Sequence, residues 1–409
     1  MKPIDQDSTI RRNYTMLGLL LAVWVLILVA LAIFVVPDIY WYSYYSVDYA
    51  TGFVRRGLAG QLVGLFPHEQ YFSALQVLRW LPTASLAFGL ALLARAVASG
   101  AGHSERRVLL ALLTPMLPFG FAYGLYSVRP DLFGATALIV YTVAIQSAGS
   151  DRRVVIASAV FGTLTAVLTL MHEAIPFVFG LGVMVSLTVF ARARSETALR
   201  ISALLALGPG MLAAAAIVLL GRRDISGQLC LRIPHGPVND PLLAHPSFDQ
   251  VLAGFRFDVD YHDWVCRNIL PLFDQNIGDA TLFVAHIGAK ALLGSTILGV
   301  ALLALTLQAT SHFSGVPFRR MFSLLRARSG WIGIGLGLFL PIFLTGADWT
   351  RWWMMITFDI GVSFVLFASG EQEAAQPLKF SMRTICWIGA LLVAGLLSAI
   401  PGFGIPAPT

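Results

Sequence analysis

The sequence predicts an all-α polytopic membrane protein, a single membrane domain over 1–409 with about eleven transmembrane helices. Three observations predict it. Only 12% of the residues are charged and 57% are hydrophobic, where a soluble domain carries about a quarter charged residues. The mean hydropathy is +0.75. The apolar residues also fall in continuous runs that can cross a hydrocarbon core of about 30 Å, a task for about 20 helical residues; a transmembrane barrel would alternate apolar and polar positions instead. The net charge of +6 does not indicate a nucleic-acid partner, because the basic residues are dispersed between the runs, where they set orientation.

Taken in order, the helices are expected near 16–36, 81–99, 108–125, 133–149, 154–171, 175–192, 201–220, 285–308, 331–345, 353–369 and 384–400. The first follows a short polar tail with Arg11 and Arg12. It is too long for a signal-peptide core and lacks a small-residue cleavage site, so it counts as a helix. With the N-terminus inside, the inner segments hold Lys2, Arg11, Arg12, Arg95, Arg106, Arg107, Arg152, Arg153, Arg192, Arg194, Arg200, Arg319, Arg320, Arg326, Arg328, Lys379 and Arg383. That is 17 of the 28 Lys and Arg residues. Every inner segment receives some of them, and the tail PGFGIPAPT falls outside.

The outer face is built from two long loops, 37–80 and 221–284, and three short ones. Loops longer than about 12–15 residues are usually functional or disordered. These mix Trp, Phe and Tyr with Pro and Gly, so they are expected to fold, with short amphipathic helices. The first reads PDIYWYSYYSVDYATGFVRRGLAGQLVGLFPHEQYF. Its Tyr/Trp cluster suits an interfacial aromatic belt. Asp48 follows, then Arg55 and Arg56, then GLAGQLVGLF, which reads as a short helix lying on the membrane. The arginine pair breaks the charge bias of an outer loop. It calls for an anionic partner, either a protein carboxylate or a phosphate held by the guanidinium forks; structural salt bridging and lipid headgroup contact are the plainer alternatives.

Among the short loops, Arg129-Pro130-Asp131 opens a helix, where Pro and Asp both suit the first turn. His172 and Glu173 interrupt the apolar stretch LTLMHEAIPFVFG, and ionisable residues at such depth usually face a cavity or the bundle interior; a simple loop apex is the alternative. Asp348-Trp349-Thr350-Arg351-Trp352-Trp353 supplies an acid, a base and three indoles, able to stack on a sugar ring or to serve as an interfacial belt. All of these motifs fall on one face. The long second loop carries Cys230 and Cys266, the two outer cysteines, which oxidation there would link. It also carries Arg222, Arg223, Arg232, His235, His245, Arg256, Asp258, Asp260, His262, Asp263 and Arg267. FDVDYHDW offers carboxylates to a metal, but such a pattern specifies none, so cofactor and metal use stay open. No P-loop, dinucleotide fingerprint, zinc-protease or nucleophile-elbow motif occurs.

This layout resembles the GT-C superfamily of polytopic membrane glycosyltransferases, which use polyprenyl-phosphate-linked sugars. In that family a long first outer loop carries a catalytic Asp soon after helix 1, followed by a juxtamembrane helix, and a second long outer loop follows helix 7. Here Asp48, GFVRRGLAGQLVGLF and 221–284 stand in those places, and Asp131 stands where several members place a second acidic residue. The second position is one Asp rather than an acidic pair, and no large soluble C-terminal domain follows. The resemblance implies an enzyme of polysaccharide biosynthesis in the cell envelope, in a bacterial inner (plasma) membrane, with its active face periplasmic or extracellular. It implies catalytic roles for Asp48 as general base and for Asp131, His172 and Glu173. Arg55, Arg56, Arg129, Asp348, Trp349, Arg351 and Trp352 would bind substrate. The partners implied are a polyprenyl-phosphate-linked sugar donor, a glycan or lipid acceptor and membrane lipids.

Two rivals stay open. An O-antigen-type polymerase or ligase, acting on polyprenyl-diphosphate glycans, leans on outer-loop Arg and His, which the arginine pair and the His-containing long loop also offer. A transporter or lipid-linked flippase would show inverted repeats and charges at mid-depth, whereas the charges here gather at one interface.

Overall fold

The computed structural model of the chain describes residues 6–35, 38–99, 104–239, 249–250, 257–378 and 381–398. The tail 401–409, Lys2, His245, Arg256 and Lys379 lie outside the described residues. Every long apolar run is helical, but not every helix is a candidate span. Among the described residues, seven helices are long and apolar enough to cross a membrane, or eight if Phe318–Ala327 and Ser329–Thr345, bent by 93°, form one span. The expectation of eleven is therefore corrected. Asp131–Ser147, Ile175–Phe190 and Met382–Leu396 are apolar but shorter, with 10–17 residues, and fall outside the seven or eight candidate spans. The run expected at 331–345 is one limb of the bent pair.

Local sequence sets the helix starts at one end of the bundle. Ser104, Ser150 and Ser195 each cap a helix by accepting a hydrogen bond from the backbone N–H of Arg107, Arg153 and Ala198, and Glu105, Asp151 and Glu196 follow in the first turn. Both features satisfy or complement the free N–H groups of a helix start. Ser195 also donates to Asp151 at 2.6 Å, Arg328 lies 3.8 Å from Glu196, and Arg320 lies 3.2 Å from Glu371. This arginine-rich end is opposite the one that carries the candidate site.

Trp349–Gly370 is the central helix, packed against Ala289–Ser314, Gly180–Phe190, Leu81–Ala98 and Asp131–Ser147. Hydroxyls join the inner helices: Thr142 to Ser186 at 2.9 Å, Ser186 to Ser363 at 3.3 Å, and Tyr141 to Ser158 at 3.1 Å. Such contacts hold helices together where apolar burial gives no preference between helix and lipid. Asp359 is wholly buried in this core, its carboxylate accepting the Gly182 N–H at 2.9 Å. Asp151–Thr169 and Glu196–Leu220 approach so closely at Gly162 that a Cβ there would sit 1.9 Å from the Leu205 carbonyl oxygen.

The chain is not wholly helical. In the second long loop Pro237–Asn239 pairs antiparallel with Asp258–Asp260, Pro237 opposite Asp260. Three-residue strands leave no periodic trace in a sequence.

Candidate functional site

The first long loop is fixed by its own turn. Gly52 takes a positive φ of 111° and donates to the Tyr49 carbonyl at 3.0 Å. The helix Gly57–Val63 then lies against Val47: the Gly60 N–H donates to the Val47 carbonyl at 3.1 Å, and a Cβ on Gly60 would meet that oxygen at 2.1 Å. Arg56, immediately before this helix, adopts φ 62° and ψ 7°. A non-glycine residue held in this left-handed region costs about 1–2 kcal/mol. The surroundings impose it, and it aims the side chain at Glu173.

Arg56 grips Glu173 with both arms of its fork, Nε at 2.9 Å and Nη2 at 2.8 Å. Arg55 Nη1 lies 3.7 Å from the same carboxylate. Arg55 also donates to the Leu272 carbonyl and lies 4.8 Å from the Phe273 ring centre. Glu173 therefore ties the first outer loop to the third, and Arg55 ties both to the second long loop. Burial alone would raise the Glu173 pKa, but the Arg56 charge and hydrogen bonds outweigh it and hold the carboxyl well below its usual range. Burial, reinforced by the Arg56 charge, pushes the neighbouring His172 down to about 3.

A second ionic group lies beside the first. Arg129 Nη1 donates to Asp348 Oδ2 at 2.8 Å. Arg351 Nε stands 3.7 Å from the same Asp348 oxygen and 3.9 Å from Asp131. Asp348 also caps the central helix through the Arg351 N–H at 3.4 Å. Arg129, Asp131 and Arg351 are 6%, 0% and 8% exposed, so these are charges withdrawn from water and obliged to find partners. Several atoms find none in the protein: Arg55 Nε, Arg129 Nε, Arg351 Nε and Nη1, and both Asp131 carboxylate oxygens are buried without a hydrogen bond.

Aromatic rings join the two groups. The Arg129 guanidinium lies 5.4, 5.3 and 5.9 Å from the ring centres of Tyr40, Trp41 and Tyr44. Arg56 lies 5.5 Å from Tyr44, and Tyr44 stacks on His172 at 5.9 Å. The Tyr/Trp cluster, expected as an interfacial belt, is instead largely a buried shelf beneath the arginines, with Trp41, Tyr44 and Tyr45 each under a tenth exposed. Sequence reasoning saw these rings and missed their role, because an aromatic run beside charges has the same composition in either setting.

The site residues expected from sequence divide accordingly. Arg55, Arg56, Arg129, Asp131, His172, Glu173, Asp348 and Arg351 form one connected group. Among the described residues Asp48 makes no hydrogen bond or ion pair with it: its carboxylate accepts the Ala50 N–H at 3.0 Å and meets Arg232 at 3.2 Å. Trp352 is 4% exposed and covered by the Arg351 guanidinium at 4.0 Å, so it presents no open face to a sugar. Trp349 is half-buried and donates to the Phe343 carbonyl at 3.0 Å. Arg232, which holds Asp48, is one of the many charges of its loop to which the sequence assigned no role. Cys230 and Cys266 are bonded to each other, their Cα atoms 5.3 Å apart, tying Ser226–Cys230 to Tyr261–Asn268.

These features define a polytopic helical membrane protein whose loops converge, at one end of the bundle, on an arginine-rich and aromatic-lined group. The chain belongs to the family described as Uncharacterised membrane protein Rv1490, whose model matches residues 14–394. It is 36% identical over 371 residues to Uncharacterized protein Rv1490 of Mycobacterium tuberculosis, covering 90% of this chain and 85% of the relative. It matches Uncharacterized protein Mb1527 of Mycobacterium bovis at the same identity and coverage. No solved structure matches the chain.

Proposed function

We propose that this protein is a GT-C-like membrane glycosyltransferase that moves a sugar from a polyprenyl-phosphate donor to a glycan or lipid acceptor on the outer face of the membrane. The observation that carries this reading is the charge balance of the convergent group. Four guanidiniums (Arg55, Arg56, Arg129 and Arg351) are directly paired with three carboxylates (Asp131, Glu173 and Asp348). Buried N–H donors on three of those arginines have no protein acceptor. An excess cation with unused donors suits a phosphate oxygen, and charge-assisted contacts to it stabilise a leaving phosphate.

In this reading the acceptor hydroxyl attacks the anomeric carbon of the sugar, its proton passes to Asp48, and the polyprenyl phosphate departs with inversion. Asp48 suits the base because its side chain is 31% exposed, within reach of an incoming hydroxyl. Asp131, with no exposure, orients Arg351 instead. The separation of Asp48 from the arginine group supports a second reading, an O-antigen-type polymerase or ligase that works through Arg and His alone.

The test uses the full chain in lipid nanodiscs with polyprenyl-phosphate sugars, reading release of polyprenyl phosphate and transfer of sugar. Asp48→Asn should abolish transfer while donor still binds. Arg129→Gln should weaken donor binding by roughly tenfold or more, since a charge-assisted contact contributes about 1.5–3 kcal/mol. Normal transfer by Asp48→Asn would turn the assignment toward the polymerase reading. Donor binding indifferent to Arg129→Gln would remove its basis.

A further inference from the structure

Away from the arginine group, the second long loop gathers four side chains with metal-ligating chemistry. His235, Asp260, His262 and Asp263 each offer one donor atom, and all four atoms lie within 4.8 Å of one another. We propose that they form a site for a divalent transition cation of the zinc class, which clasps this loop.

The backbone builds the cluster. Pairing of Pro237–Asn239 with Asp258–Asp260 places His235, two residues before the first strand, beside Asp260 at the end of the second. Asp260 then caps the helix Tyr261–Asn268, accepting the Asp263 N–H at 3.1 Å, which turns His262 and Asp263 back toward His235. The Cys230–Cys266 bond ties the same helix to Ser226–Cys230. Four residues from two separate stretches are thus held together by a sheet, a helix cap and a covalent link.

Two of the donor–donor edges have the length a tetrahedral ion requires. His235 Nδ1 lies 3.2 Å from Asp260 Oδ1, and His262 Nδ1 lies 3.1 Å from Asp263 Oδ1. Donors on a tetrahedral zinc with bonds of about 2.0 Å are separated by about 3.3 Å, so both edges have nearly the required length. The His235 and His262 imidazoles stack with centres 4.0 Å apart, so both rings belong to one compact cluster. Two imidazoles with two carboxylates favour zinc-class ions over magnesium or calcium, which prefer all-oxygen shells, and the two carboxylates neutralise the dication. A hydrogen-bonded pair of His–Asp couples would have the same short distances, and the experiment separates the two.

The site lies three residues beyond Arg232, the residue that meets Asp48. A bound ion would therefore fix the turn that presents Arg232. The inference does not depend on the transferase reading, since its readouts are binding and loop stability.

The experiment uses the full chain in detergent, with its disulfide intact and metal stripped by chelator. Zn(II) titration calorimetry should saturate at one ion per chain, and Co(II) should give the visible absorption of a four-coordinate N/O site. His235→Ala and His262→Ala should each weaken binding by at least about tenfold, the loss seen even for groups that only support a metal's ligands. His286→Ala, an exposed histidine outside the cluster, should leave it unchanged. Zn(II) should also slow proteolysis within 221–284. Absence of saturable binding, or binding insensitive to both cluster substitutions, would leave a hydrogen-bonded cluster and overturn the proposal.

Discussion

His172 couples the stability of this protein to pH. Its ring is 2% exposed, accepts the Ala174 N–H through Nδ1 at 3.3 Å, and sits near the Arg56 charge. An unfolded chain takes up a proton there near pH 6.5, the native state only near pH 3. Between those values the unfolded state binds more protons, so this contribution is complete above about pH 6.5 and is lost as pH falls, at about 1.4 kcal/mol per unit. Glu173 acts lower on the scale: its native pKa is depressed, so its contribution holds above the unfolded value of about 4.3 and is lost only below it. Thermal unfolding from pH 7 to 5 should therefore show a slope that His172→Asn flattens; a slope unchanged in that variant would refute the assignment. Arg56→Ala should lower stability by about 2 kcal/mol by stranding Glu173, and adding Glu173→Gln should restore part of it. Denaturant titration of the two variants checks this. The sequence marked these residues as out of place for their depth and face, yet it did not reveal the pairing. Arg56 reaches Glu173 across 117 positions and Arg129 reaches Asp348 across 219, and no local pattern encodes a contact at such range.

At the scale of elements, apolar runs dictated the helices, because a backbone in hydrocarbon must satisfy its own hydrogen bonds. Their lengths as spans were less legible, since a run that ends at a polar loop does not reveal whether the helix is full length, broken or bent. Phe318–Ala327 and Ser329–Thr345 illustrate this: both are helical, but a 93° bend separates them. Close packing is testable at Gly162. Gly162→Ala would set a methyl against the Leu205 carbonyl, forcing Asp151–Thr169 and Glu196–Leu220 apart at a cost of about 1–3 kcal/mol. Gly208→Ala, on the partner helix with nothing within 4 Å, should be neutral or raise stability by up to about 1 kcal/mol. Equal effects in a thermal melt would contradict the packing. Cys230→Ser should loosen the second long loop, with a loss of about 2–4 kcal/mol where the loop unfolds with the rest, read as faster proteolysis between 221 and 284.

At the scale of the whole molecule, arginines mark both ends of the bundle. At one end Arg152, Arg153, Arg192 and Arg319 stand exposed, whereas at the other Arg129 and Arg351 are buried and paired. The positive-inside bias leads to the expectation that the first end faces the cytoplasm. With Cys386→Ser removing the one free cysteine of the described residues, Asn268→Cys should react with an impermeant thiol reagent in intact cells, and Arg319→Cys only after lysis. The reverse pattern would invert the orientation and carry the proposed function to the wrong side.

The central position of Trp349–Gly370 has a consequence for biosynthesis. A ribosome delivers this helix after most of the chain, yet its start supplies Asp348 and Arg351, the partners of Arg129 and Asp131. Until then a nascent chain carries an arginine and an aspartate near the bilayer without their mates, a costly condition. Protein cut short before residue 348 should be recognised by membrane proteases as incomplete, whereas a chain that has released its last helices hides both charges at once. The ionic group can close only when one of the last segments arrives.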